Sequence, residues 1–322
     1  MPKLQRFIIM LRIKDLWSIL KDTGYGFNRH KAFTLSASLS FYTILTLGPM
    51  LLIIIFISNI FWGRQAIEGT IHNQISGLVG DAAAIEIQEL IKNASMVSND
   101  SMAFIGIGML LFFSTTFFNE MQNSMNTIWN IQVKKNRNWQ QILKNRVLSF
   151  SIVAGLGFLM LVFLIINGLL EGFMSKIQEL FPQKAVSLIY AINLLVTLLV
   201  VTLLFAFIFK VLPDAVIKYK DVAAGALFTS VLFMIGKFGV SLYINFRNME
   251  SAYDSTGALM VLLLWIYYSA TILFFGAEFT KTYALKYGGE IKPKDYAVTI
   301  KIIKVESNPG TVQQNEKIQG KQ

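Results

Sequence analysis

Long uninterrupted apolar stretches, separated by short polar ones, dominate the chain. Six of them reach the length of about 20 residues that a helix needs to cross about 30 Å of hydrocarbon. They cover about 32–62, 101–118, 147–170, 185–209, 222–242 and 257–277. The runs do not alternate, as Leu194 to Phe209 illustrates, so a transmembrane barrel is excluded and helices are predicted. The fold expected is an all-α integral membrane protein with six transmembrane helices. Residues 1–31 form a basic amphipathic arm, 32–287 the membrane domain, and 288–322 a tail that loses its apolar content from about 307 and is expected to be disordered.

Between the first two spans, residues 63–100 carry Ile67, Ile71, Ile75 and Leu78 at helical spacing. Asp81 can cap a second helix with Ile87, Leu90, Ile91 and Ala94 on its apolar face. An extracytoplasmic helical hairpin is predicted there. In the arm, Leu4, Phe7, Ile8, Leu11, Leu16, Trp17 and Leu20 can share one face with Lys3, Arg6, Arg12 and Lys14 near headgroups, which describes an interfacial helix. A solvated basic arm is the other reading. The apolar run Phe7 to Leu11 is too short for a signal-peptide core. In the tail, Val298, Ile300 and Ile302 alternate with Thr299 and Lys301 like a short strand.

Composition agrees with this pattern. Of 322 residues, 54% are hydrophobic and 15% charged, and the mean hydropathy is +0.53. Soluble domains have about 25% charged residues. The formal charge of +10 would suggest nucleic acid in a soluble protein. Here the positions of the cations decide. Of 29 lysines and arginines, 23 lie in the N-terminal arm, the second-to-third loop, the fourth-to-fifth loop and the tail. Five lie on the other side: Arg64, Lys92, Lys176, Lys184 and Arg247. This asymmetry places both termini in the cytoplasm. It makes membrane lipids the expected partner and removes nucleic acid. There is no cysteine, so disulfides and thiolate chemistry are excluded.

Polar residues that persist inside the spans are the candidates for function. Ser36, Ser40 and Thr43 share one face of the first span, where they can serve helix packing or line a path. Pro49, after Gly48, removes a ladder hydrogen bond there and predicts a kink or break. Thr115, Asn119, Asn123 and Asn126 share a face of the second, which is read as one helix running on to Trp129. They can line a vestibule or form a wet surface.

Lys237 stands in the fifth span, with Asp254 as the nearest plausible counter-charge. It can fix helix packing, bind an anionic group such as a phosphate or carboxylate, or snorkel outward. Tyr267, Thr271 and Glu278 share a face of the sixth span, with Glu278 at its cytoplasmic boundary and Lys281 within reach. Enzyme chemistry finds no support. The two histidines, His30 and His72, fall on opposite sides of the membrane. No metal-ligand cluster, phosphate loop, nucleophile elbow or dinucleotide fingerprint occurs, and no cofactor is expected.

Several stretches in order resemble the YihY/BrkB family of bacterial inner-membrane proteins. They are Ser36 to Thr43 leading to Gly48-Pro49, Phe118 to Trp129, Leu212-Pro213-Asp214, Gly236 to Phe238 with Tyr243, and Gly257 through Leu264 to Ser269 and Gly276 to Glu278. Asp254 stands where the family often has glycine. The resemblance implies a six-helix inner-membrane protein, linked to envelope integrity and serum resistance and suggested to be a permease or exporter. The family's old ribonuclease label gains nothing from these residues.

The function expected is transport or export of an amphipathic, lipid-like or anionic solute. Cation/proton antiport through Glu278 or Glu120 is one alternative. A non-transporting scaffold for envelope assembly is another. Glycine-bearing faces in the second, third and fifth spans allow a homo-oligomer.

Overall fold

The structure is a computed structural model that describes residues 13–61, 85, 100–134, 185–247, 254–287 and 290–301. Six long helices form in the described parts: α1 (Ile13–Arg29), α2 (Ala32–Phe61), α3 (Asp100–Ile128), α4 (Ala185–Val211), α5 (Tyr219–Arg247) and α6 (Asp254–Tyr287). Five of them fall on predicted spans. The predicted span 147–170, the outer hairpin 63–100 except Ile85 and Asp100, the arm before residue 13 and the tail beyond 301 lie outside the described residues.

Ala191–Val211, Tyr219–Gly239 and Leu262–Tyr287 are each long and apolar enough to cross a membrane, and Ala32–Leu47 is a shorter apolar helix. Outward faces of α4 and α5 carry Leu195, Leu199, Leu203 and Ile235, all exposed. Such a surface would be an aggregation liability in water, whereas in lipid it matches its solvent.

Helix α6 is the hub, packed against α1, α2, α3 and α5. Its junction with α5 is set by small residues. Thr229 of α5 sits over Gly276 of α6, and Thr280 of α6 sits over Gly225 of α5. No Cβ would fit at either glycine without displacing the threonine. Each threonine hydroxyl donates to the glycine carbonyl four residues earlier on its own helix, at 2.7 Å in both cases. The polar atoms are thus satisfied while the backbones approach closely. Farther along, Tyr268 covers Gly236 and donates to the Leu232 carbonyl at 2.8 Å. The fifth span therefore spends Gly225 and Gly236 within the chain.

Helix α2 runs through Pro49 without a break, contrary to one of the two outcomes expected there. Helix α6 extends ten residues past the predicted end, because Glu278 to Tyr287 pack against α1. Helix α1 is amphipathic, and the face it buries against α6 is a different one from the apolar row read in the sequence for the membrane interface. Ile19, Thr23, Gly26, Phe27 and His30 are buried, whereas Trp17 points outward and Leu16 and Leu20 are half-buried. The reason is a partner invisible in the local pattern. Helix α1 runs antiparallel along the end of α6, with Phe27 edge-on to Phe275 (5.4 Å between ring centroids) and Lys286 donating to Ser18 at 2.8 Å.

Two short antiparallel ladders close the base of the bundle. Strand β1 (Ile131–Val133) follows α3 and pairs with β4 (Ala297–Thr299) of the tail. Strand β2 (Ala215–Val216) follows α4 and pairs with β3 (Lys292–Pro293). The described core is concentrated at this end, in Met125, Ile128, Trp129, Phe209, Leu212, Phe274 and Ala277.

Candidate functional site

Two polar networks occupy the basal end. The first is built on Glu278, which is 3% exposed within the apolar segment Leu262–Tyr287. His30 Nδ1 lies 3.0 Å from Glu278 Oε2, and Lys281 Nζ lies 3.4 Å from Oε1. Room for the carboxylate comes from Gly26, where a Cβ would collide with it. Lys281 also donates to the Ile128 carbonyl at 2.7 Å, capping the end of α3. His30 Nε2 lies 3.3 Å from Asn130 Oδ1. Asn130 has φ 56°, a left-handed conformation that asparagine tolerates and that ends α3. Trp129 completes the junction by donating to the Ala277 carbonyl at 3.0 Å. With one carboxylate and one ammonium, the group is neutral when His30 is neutral.

The second network is built on Asp214, which is 1% exposed. Its Oδ1 accepts from Gln122 Nε2 at 3.0 Å and from Tyr296 OH at 2.8 Å, and its Oδ2 accepts from Asn126 Nδ2 at 2.8 Å. The Asp214 backbone N–H donates to Asn126 Oδ1 at 2.9 Å. Asn126 and Asp214 therefore grip each other through two bonds. Lys294 Nζ stands 3.9 Å away, and its backbone N–H donates to the Asp214 carbonyl at 2.9 Å. Burial pushes the Lys294 ammonium below the usual lysine range, and attraction to Asp214 opposes this in part. This network fastens the tail to α3 and to the α4–α5 loop.

The sequence candidates distribute unevenly around these networks. Ser36, Ser40 and Thr43 each donate to the carbonyl four residues back on α2, at 2.7 to 2.8 Å. Thr271 does the same to Tyr267 on α6 at 2.8 Å. These hydroxyls are engaged by their own helices, a usual way to satisfy such groups. Pro49 is buried. Asn119 and Asn123 are exposed, while Asn126 of the same predicted row is buried on Asp214. Thr115 and Tyr267 are half-buried. Glu120 accepts from Ser38 at 2.7 Å, which ties α3 to α2. Lys237 is half-buried on α5. Asp254 begins α6, and its side chain, like His72, lies outside the described residues.

The expected Glu278–Lys281 pairing is present. His30 was visible only as an isolated histidine at the end of the arm, and its partner is 248 residues away. Asp214 stood in the sequence only as part of the Leu-Pro-Asp stretch, and no local spacing links it to Asn126 or Tyr296. Among the described residues no group of three histidine or acidic side chains could hold a metal ion.

The profile of the family described as Virulence factor BrkB matches residues 23–299. A UPF0761 membrane protein of Psychromonas ingrahamii is 24% identical over 286 residues, 87% of this chain and 92% of that protein. Its counterpart from Mannheimia succiniciproducens is 24% identical, over 85% of this chain and 91% of its own. One from Haemophilus influenzae is 26% identical, over 80% and 91%. No solved structure matches the chain. The match spans both ladders, both networks and every described helix but the start of α1, so this chain is a membrane protein and belongs to the BrkB family.

Proposed function

We propose that the protein is a permease or exporter of an amphipathic, lipid-like or anionic solute. It lies in the bacterial inner membrane, with both termini in the cytoplasm. The observation that carries this reading is the buried Glu278–His30–Lys281 group at the cytoplasmic end of the sixth span. Ionisable residues buried in a membrane bundle are costly, and in membrane proteins they mark substrate and ion pathways. Lys237 in α5 supplies a second cation within a span and a chemistry suited to an anionic group. Orientation rests on the 23 of 29 basic residues gathered on one side. No catalytic step is assigned to the chain.

The test uses the full chain in liposomes containing a fluorescent anionic phospholipid, with dithionite to bleach the exposed leaflet. Transport accelerates loss of the protected fraction over protein-free vesicles, and Lys237→Ala slows that loss while the protein still elutes as a folded species. Protected fluorescence that stays unchanged removes the lipid-like solute and favours a scaffold for envelope assembly.

A second reading is cation/proton antiport. The observation in its favour is His30, a titratable partner for Glu278 inside the bundle. In everted vesicles, added cations would dissipate a pH gradient, and Glu278→Gln would abolish the response.

A further inference from the structure

His30 stands where α1, α2, α3 and α6 meet. It follows α1 directly and precedes α2 by two residues, and its side chain is 4% exposed. Nδ1 lies 3.0 Å from Glu278 Oε2, and Nε2 lies 3.3 Å from Asn130 Oδ1. Both ring nitrogens therefore face oxygen acceptors. A neutral imidazole has one N–H and one lone pair, so it can donate to only one of them, whereas an imidazolium donates to both. The arrangement is that of the charged ring.

The charges around the ring come from three directions. On α6, Glu278 attracts it, while Lys281 stands 3.4 Å from the other carboxylate oxygen. On α1, Arg29 lies within electrostatic reach of Lys281, and in the turn Lys31 is exposed. Helix α2 carries no charge, and neither does the chain from Met121 to Val133 at the end of α3 and in β1. On the tail side Lys301 follows Ile300, and Lys134 donates to the Asp295 carbonyl at 3.0 Å. Attraction from one carboxylate and repulsion from several cations thus act on the ring together. Histidine is the side chain whose charge ordinarily changes between pH 5 and 8.

Asn130 carries the consequence outward. Its left-handed φ of 56° ends α3, its N–H donates to the Thr127 carbonyl at 3.1 Å, and its carbonyl accepts from the Ile300 N–H at 2.8 Å, beside the β1–β4 ladder. When the ring loses its proton, the remaining N–H stays with the carboxylate, which is the shorter and charge-assisted bond. Nε2 then presents a lone pair to Oδ1, and two acceptors repel. Asn130 has to move, at the corner that holds the tail.

We propose that His30 is a proton-sensitive link. Charged, it ties α1 to the corner of α3 and the tail through Asn130; neutral, it keeps α6 and releases that corner. The hold belongs to the protonated ring, so it is present in acid and lost as pH rises. The link concerns the seating of α1 and the tail and is independent of whether the protein carries a solute or a proton.

The test follows hydrogen exchange of residues 297–301 in the detergent-solubilised full chain between about pH 5 and 8, corrected for intrinsic exchange. Nitrogen-15 NMR of the ring reports its charge over the same range. Protection in the wild type should fall about tenfold as the ring is neutralised, the loss of one hydrogen bond to a charged group. Asn130→Gly keeps the left-handed turn without the acceptor, and His30→Gln removes the titration, so both should flatten the profile. Constant protection while the ring titrates would show that Asn130 only turns its amide over, and would overturn the proposal. A ring that keeps one charge throughout, or an equal fall in both variants, would overturn it as well.

Discussion

His30 Nδ1 and Glu278 Oε2 lie 3.0 Å apart, joining the end of α1 to the end of α6 across 248 residues. Both side chains are almost wholly buried, so the pair is sheltered from the screening that makes surface ion pairs weak. Removing the carboxylate leaves the Lys281 ammonium without its counter-charge and His30 without its partner on α6. Glu278→Gln should lower stability by about 3–5 kcal/mol, the usual cost of breaking a buried pair. Thermal unfolding of the detergent-solubilised protein, followed by size-exclusion fluorescence, measures it. An unchanged midpoint would show that the pair contributes nothing to holding α1.

Gly276 and Thr229 test the close approach of α5 and α6. Gly276→Ala places a methyl group where the Thr229 side chain sits, and overpacking of this kind costs about 1–3 kcal/mol. Thr229→Ala should recover part of that loss in the double variant, since it removes the atoms in conflict. Additive losses in a double-mutant cycle would contradict the contact.

Asp214 predicts a detachable tail. Asp214→Ala leaves Gln122, Asn126 and Tyr296 without their acceptor. The β2–β3 and β1–β4 ladders should then open, and limited proteolysis should cut residues 290–301 sooner than in the wild type. Tyr296→Phe removes a single bond to the carboxylate and should cost only about 1.5–3 kcal/mol. If both variants resist protease like the parent, the network is not what holds the tail.

Lys294 provides a pH dependence whose sign can be stated. Burial, outweighing attraction to Asp214, places its folded pKa below the unfolded lysine value of 10.5. Between those two values the unfolded chain binds more protons than the folded one, so stability rises with pH through that window. Below the folded pKa, both states are protonated and this group adds no slope. The melting temperature of the wild type relative to Lys294→Met should therefore rise as the medium approaches pH 10.5. A relative fall over the same window would reverse the assignment.

The helices were legible because each needs only local information. An uncharged stretch such as Ala185 to Phe209 has one economical conformation in hydrocarbon, wherever the rest of the chain goes. The pairing of Glu278 with Lys281 was legible for the same reason, being one turn of one helix. The hydroxyl row Ser36–Ser40–Thr43 was visible as a row, but its use was not. Each hydroxyl can bond back to its own helix or reach a neighbour, and only the packed structure shows that these bond back. The face that α1 buries was not legible, because α6, which selects Ile19 and Phe27 over Trp17, is remote in the chain.

Sequence alone determined that this polypeptide forms long helices suited to lipid, because transfer of apolar length into hydrocarbon is a property of each segment by itself. Tertiary structure alone decided that His30 meets Glu278, that Asp214 gathers Gln122, Asn126 and Tyr296, and that two strand pairs close the base. Those contacts join groups far apart in the chain. Their geometry is set by how the helices stack, with Gly26, Gly225 and Gly276 admitting the close approaches, and no spacing along the chain encodes which remote partner arrives.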